Sequence, residues 1–128
     1  MLQAQMKPAD MDRRRAVVAS AFIRAGDKLE LTNKILGKVI GLSDSSITRI
    51  RGGDAKLLVD GSKPRELATL FLRFYRSLDA IVGGDDKVSA QWLRAANTAL
   101  NGIPIEMIQS VRGLIRVVDY LDSRRAVG

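Results

Sequence analysis

Residues 33–52, NKILGKVIGLSDSSITRIRG, constrain this chain more than any other stretch. Gly37 and Gly41 stand one helical turn apart among apolar residues at helical spacing. Where two short helices cross at close range, the fifth position of such a block must be small. The ninth must turn the chain through positive φ, which favours glycine. The fourth, eighth, tenth, fifteenth and eighteenth positions must be apolar to join the helices, and Leu36, Ile40, Leu42, Ile47 and Ile50 occupy them. None of these positions holds a charge or a proline. The block predicts a helix-turn-helix whose second helix opens near Ser43.

In that motif the second helix lies in the major groove of a duplex. Its outward side would present Ser45, Ser46, Thr48 and Arg49 to base edges. Asn33, Lys34 and Arg51 stand where phosphates pass, and the helix start at Ser43 favours an anion. Asp44 suits the helix dipole but would repel a phosphate. The plainer reading is a helical hairpin with a glycine turn and no DNA. A net charge of +7 favours anionic partners. It does not locate them: the excess is +4 over residues 1–60 (11 basic, 7 acidic) and +3 over 61–128 (10 basic, 7 acidic).

The rest of the chain also reads as helix, so the expected fold class is all-α. Residues 1–10 read as a disordered arm and 11–60 as the helix-turn-helix region. Asp10 or Asp12 can cap a first helix with Val17, Val18, Ala21 and Phe22 on its apolar side, and Gly26 is expected to stop it. Thr32 caps the next helix. After a connector, Pro64 opens a helix to about Val82, apolar over more than half its surface, which predicts a central position or a dimer interface. Gly83-Gly84-Asp85-Asp86 breaks the chain. Trp92 is expected in the core, packed under a turn whose geometry Gly102 and Pro104 set, and Asn97 is expected to bond a turn backbone. Glu106 sits in a helix first turn, and the last helix spans about 112–124. Arg112 and Arg116 share one face of it, and Arg124 and Arg125 extend from its end. Residues 64–128 thus form a second helical unit. The basic cluster Arg13-Arg14-Arg15 reads as a solvated helix start, with phosphate contact as the alternative.

Several function classes fall away. With no cysteine and no histidine, Cys nucleophiles, His general bases and most transition-metal sites are lost, and a cytoplasmic location is expected. No Gly-rich phosphate loop has the needed spacing, and the paired acids Asp85-Asp86 lie in a turn. No catalytic residue, cofactor or metal is expected. No apolar run approaches the roughly 18 residues of a membrane span, and residues 1–15 lack the apolar core of a secretory signal.

One further pattern is more specific. Pro-Arg-Glu-Leu-Ala at 64–68, Arg-Phe-Tyr-Arg-Ser-Leu-Asp at 73–79 and Gly-Gly-Asp at 83–85 precede Trp92-Leu93, Asn97 and Leu100. Gly-Ile-Pro-Ile-Glu at 102–106, Ser110, Gly113-Leu114, Val117 and Tyr-Leu-Asp at 120–122 complete it. With the upstream block, residues 30–125 resemble Xre/MbcA/ParS-type antitoxins: an Xre-like helix-turn-helix followed by a small toxin-binding domain. The resemblance implies a type II antitoxin, a homodimer within a toxin–antitoxin complex, that inhibits a RES-domain toxin acting on NAD and represses its own operon by binding operator DNA. It implies a toxin-facing role for Arg112, Arg116, Tyr120, Arg124 and Arg125, with Leu121 and Val127 as possible apolar anchors and core the better role for Leu121. Two other readings stay open: a helix-turn-helix regulator with no toxin, and a purely protein-binding inhibitor whose helix-turn-helix is scaffold.

Overall fold

Side-chain caps and glycine turns divide this chain into helices. The structure, a computed structural model, describes residues 7–127, with side chains as far as Arg125. Its helices are α1 Pro8–Lys28, α2 Asn33–Ile40, α3 Asp44–Arg51, α4 Lys63–Ile81, α5 Asp86–Arg94, α6 Pro104–Met107 and α7 Val111–Val127. Thr32 Oγ1 accepts from the Ile35 amide at 3.2 Å to start α2, and Ser43 Oγ accepts from the Ser46 amide at 3.1 Å to start α3. Ser62 opens α4, Asp85 opens α5, and Ser110 Oγ takes the Gly113 amide at the start of α7. Each cap answers an amide that has no partner inside its helix, for about 1 kcal/mol. Among the described residues the only β-type pairing is an isolated bridge between Asn97 and Gly102.

The helices share one core. α4 lies at its centre, packed against α7, α1 and α2. Phe22 of α1 meets Phe71 of α4 edge-on, with ring centroids 5.3 Å apart, and Phe74 follows at 5.5 Å. Leu36, Ile40 and Ile47 of the helix-turn-helix and Leu93, Ile108, Leu114 and Val117 of the C-terminal part belong to the same cluster. The apolar wrap of α4 is therefore buried within the chain, on Leu67, Ala68, Phe71, Leu72, Phe74 and Leu78. Ile81, the last residue of α4, is 41% exposed.

The structure corrects the first helix. It begins at Pro8, inside the expected arm; residues 1–6 of that arm lie outside the described residues. Its core stripe is Ala19, Phe22, Ala25 and Leu29, while Val17 is 66% exposed. Gly26 does not stop the helix. It is buried within α1, and a Cβ there would stand 2.8 Å from both δ-carbons of Leu36, so the glycine lets α1 and α2 approach. The helix ends two residues later, at Lys28, and Glu30 turns to φ 58°. Leu31 then donates to Gly26 O at 2.9 Å and Glu30 to Asp27 O at 3.0 Å, the pairing that closes a helix end over a left-handed residue.

Candidate nucleic-acid and partner surfaces

The helix-turn-helix geometry follows from its two glycines, each for a different reason. A Cβ on Gly37 would lie 2.5 Å from the backbone oxygen of Leu42, so only glycine allows the crossing. Gly41 has open space around it but sits at φ 75°, where side chains are strained. The chain turns there and α3 starts at the Ser43 cap, with Ile47 and Ile50 buried beneath it.

On the outer side of α3, Ser45, Thr48 and Arg49 are exposed and Ser46 is half-buried. The three serines bond one another: Ser43 Oγ lies 3.1 Å from Ser45 Oγ and 2.9 Å from Ser46 Oγ. Arg49 pairs with Asp54 at 3.2 Å. The Lys56 backbone amide, and after it the Arg49 guanidinium, hold the Asp54 carboxyl below its usual range. Asp44 is exposed in the first turn of α3, as expected.

Asn33, Thr48 and Arg51, read from the sequence as separate DNA contacts, form one network. Arg51 donates from Nε and Nη2 to Asn33 Oδ1 at 3.1 and 2.9 Å, and from Nη1 to Asp27 Oδ2 at 2.9 Å. Asn33 Nδ2 donates to Thr48 Oγ1 at 3.3 Å. Lys34, beside Asn33, is exposed. The arginines at 13–15 are largely paired too: Arg13 with Asp10, and Arg15 with Asp12 at 3.4 Å. Arg13, Arg14 and Arg65 line an open groove of about 700 Å³, where Arg65 is held by Asp60 at 2.7 Å.

In the C-terminal part, Arg112 and Arg116 are exposed on α7, beside Val111 and Ile115. Tyr120 is half-buried against the core, Leu121 is buried, and Arg124 is exposed. The side chain of Val127 lies outside the described residues. Arg125 does not extend away: its Nη1 donates to Ser77 Oγ on α4 at 3.1 Å. Ser77 is fully buried and donates to Asp122 Oδ1 at 2.8 Å, and Asp122 also pairs with Arg73. The expected free arginine pair at the end is thus one exposed cation and one tied to α4.

Before α7 the turn closes as the sequence suggested. Asn97 Oδ1 accepts from the Leu100 amide at 3.0 Å. Asn101 takes positive φ, at 56°. Pro104 is buried at the start of α6, and Trp92 is half-buried against the core.

Sequence reading missed Asp27, Arg94, Ser77 and Asp122, because their partners lie 24 to 65 residues away. Gly113 could have been flagged, since a glycine inside a helix hints at close backbone approach. A Cβ there would fall 2.0 Å from Met107 O, within the junction of α6 and α7. Among the described residues no cluster of three or more His, Cys, Asp or Glu could hold a metal ion, and no helix is long and apolar enough to cross a membrane.

Two family models match the chain. Residues 8–62 match the antitoxin Xre-like helix-turn-helix domain, and residues 77–126 match the antitoxin Xre/MbcA/ParS C-terminal toxin-binding domain. No curated protein matches it significantly.

Proposed function

The chain belongs to the Xre/MbcA/ParS-type antitoxins, and from that membership we propose that it is a type II antitoxin that occludes a RES-type, NAD-consuming toxin and represses its own operon. The observation that carries this is the union of two surfaces on one core: an outward α3, capped by Ser43, and an exposed basic face of α7. The mechanism is binding alone. Ser45, Ser46, Thr48 and Arg49 read base edges, Arg49 by giving up its single 3.2 Å bond to Asp54, while Lys34 and the α3 start at Ser43 meet phosphates. One such helix covers a half-site, so operator binding calls for a homodimer.

Toward the toxin, Arg112, Arg116 and Arg124 supply cations, with Tyr120 as a half-buried aromatic beside them. A site that takes the pyrophosphate of NAD and carries a catalytic acid is one that arginines can block, because guanidinium pairs carboxylates in a fixed fork. The inhibitor does no chemistry in this reading.

The test is co-expression. The neighbouring reading frame is induced with and without this chain, and growth and cellular NAD are followed. The reading expects the neighbour alone to stop growth and deplete NAD, and this chain to restore both. A harmless neighbour would leave a plain helix-turn-helix regulator as the better account. Growth arrest without NAD loss would point to a toxin that modifies a protein or to a different toxin class. A gel shift on the upstream region, repeated across salt, tests the operator half, since phosphate-driven binding weakens steeply with added salt.

A further inference from the structure

Arg51 closes the helix-turn-helix, and all three of its nitrogens are engaged within the chain. Two meet Asn33 at the start of α2 and one meets Asp27 at the end of α1. The guanidinium thus bridges all three N-terminal helices, and Asn33 carries the link on to Thr48 of α3. A phosphate that approached Arg51 would come within reach of the Asp27 carboxylate, where like charges repel. The Arg51–Asp27 pair is also neutral as a unit, so binding DNA through it would release no counterion.

Resting on the reading that the motif binds DNA, we propose that Asp27 is a positioning residue of the DNA-reading surface. It holds Arg51 as a brace that fixes α3 against α1 and α2, and it withholds that arginine from the phosphate backbone. The sequence-independent part of the affinity is then carried by Lys34 and the α3 start, and base readout by α3 weighs more in the total. Asp27 therefore limits binding to DNA of any sequence.

The experiment compares wild type, Asp27→Asn and the double variant Asp27→Asn/Arg51→Ala by fluorescence anisotropy, on a duplex from the upstream region and on a random duplex of equal length. Asparagine keeps the shape and the acceptor of Asp27 but drops its charge. Asp27→Asn is expected to bind both duplexes more tightly. Its salt slope should steepen by about 0.9, which is roughly a threefold greater loss of affinity between about 50 and 200 mM salt. Adding Arg51→Ala to Asp27→Asn, which leaves the site neutral again, is expected to return the wild-type slope. An Asp27→Asn slope that is unchanged or shallower, or a double variant that keeps the steeper slope, overturns the proposal. A merely structural role for Asp27 would alter stability and leave the slope alone.

Unfolding separates failure of the brace from failure of the DNA reading. Should the wild-type chain bind neither duplex, the DNA reading falls on its own, and the brace is read from urea unfolding. Asn33→Ala and Arg51→Ala are then expected to destabilise less together than the sum of their separate effects. Strict additivity overturns the brace.

Discussion

Arg94 lies on the carbonyl of Glu30, 64 residues earlier in the chain: Nη2 donates to Glu30 O at 2.8 Å. Nη1 of the same side chain donates to Leu29 O at 3.1 Å and to Ala90 O, in its own helix, at 2.8 Å. Glu30 holds positive φ, which a residue with a Cβ adopts only at some cost in strain. Arg94 thus satisfies carbonyls at the closing turn of α1 and ties α5 to the N-terminal helices. Arg94→Ala is expected to destabilise the protein by about 1–3 kcal/mol, read from urea unfolding. Arg94→Lys should recover only part of this, because one ammonium lacks the guanidinium fork. An Arg94→Ala midpoint equal to wild type would show that water replaces the clamp without loss.

The two glycines of the helix-turn-helix should respond differently to alanine. At Gly37 the obstacle is backbone, 2.5 Å from the new Cβ, which cannot swing aside as a side chain can. Gly37→Ala should therefore cost about 1–3 kcal/mol and disturb the crossing of α2 and α3. At Gly41 space is open and only the positive φ resists, so Gly41→Ala should cost about 1 kcal/mol. Denaturant midpoints of the two variants give the ranking, and the reverse order would contradict this packing.

Alkaline pH should act through Tyr75. Burial, and then the hydrogen bond to Asp86 Oδ1 at 3.0 Å, push its phenol up to about 12. A folded pKa above the unfolded value of about 10 means the contribution is fully present below pH 10. It is lost as pH rises through the folded value near 12. Unfolding free energy measured across that window should fall more steeply in wild type than in Tyr75→Phe. Parallel curves would remove Tyr75 as the source.

At the end of α7, Arg124 and Arg125 should separate into a partner contact and a structural contact. Arg125→Ala breaks the bond to buried Ser77 and is expected to lower stability by about 0.5–1.5 kcal/mol. Arg124→Ala should leave the melting temperature unchanged while weakening inhibition of the toxin. Ser77→Ala removes both the Arg125 and the Asp122 bonds and should cost more than Arg125→Ala. Unchanged inhibition by the Arg124 variant would take that residue out of the proposed contact.

Much of the scaffold was legible because its signals are local. Thr32, Ser43 and Pro64 mark helix starts through bonds or φ constraints reaching at most three residues along the chain. Gly37 and Gly41 announced the helix crossing and its turn, and the Asn97 turn followed from a side chain that bonds three residues ahead. The candidate surfaces were legible only as helix faces. Which of their cations stand free could not be read, because Asp27, Asp54 and Ser77 hold Arg51, Arg49 and Arg125 through folding.

The sequence by itself determined the all-α class, the helix-turn-helix and the order of helices, since backbone propensity and capping act within about a turn of helix. Tertiary structure decided which face of each helix is buried. The middle of α1 is apolar on many sides, at Val17, Val18, Ala19, Ala21, Phe22 and Ile23, so periodicity cannot choose among faces roughly 100° apart per residue. Contact with α4 chose the face of Ala19, Phe22 and Ala25 and left Val17 in solvent. The same packing made Gly26 a contact rather than a stop, and drew Arg51 and Arg125 back onto the body of the protein. Burial and ion pairing depend on which surfaces meet, and separation along the chain does not encode that meeting.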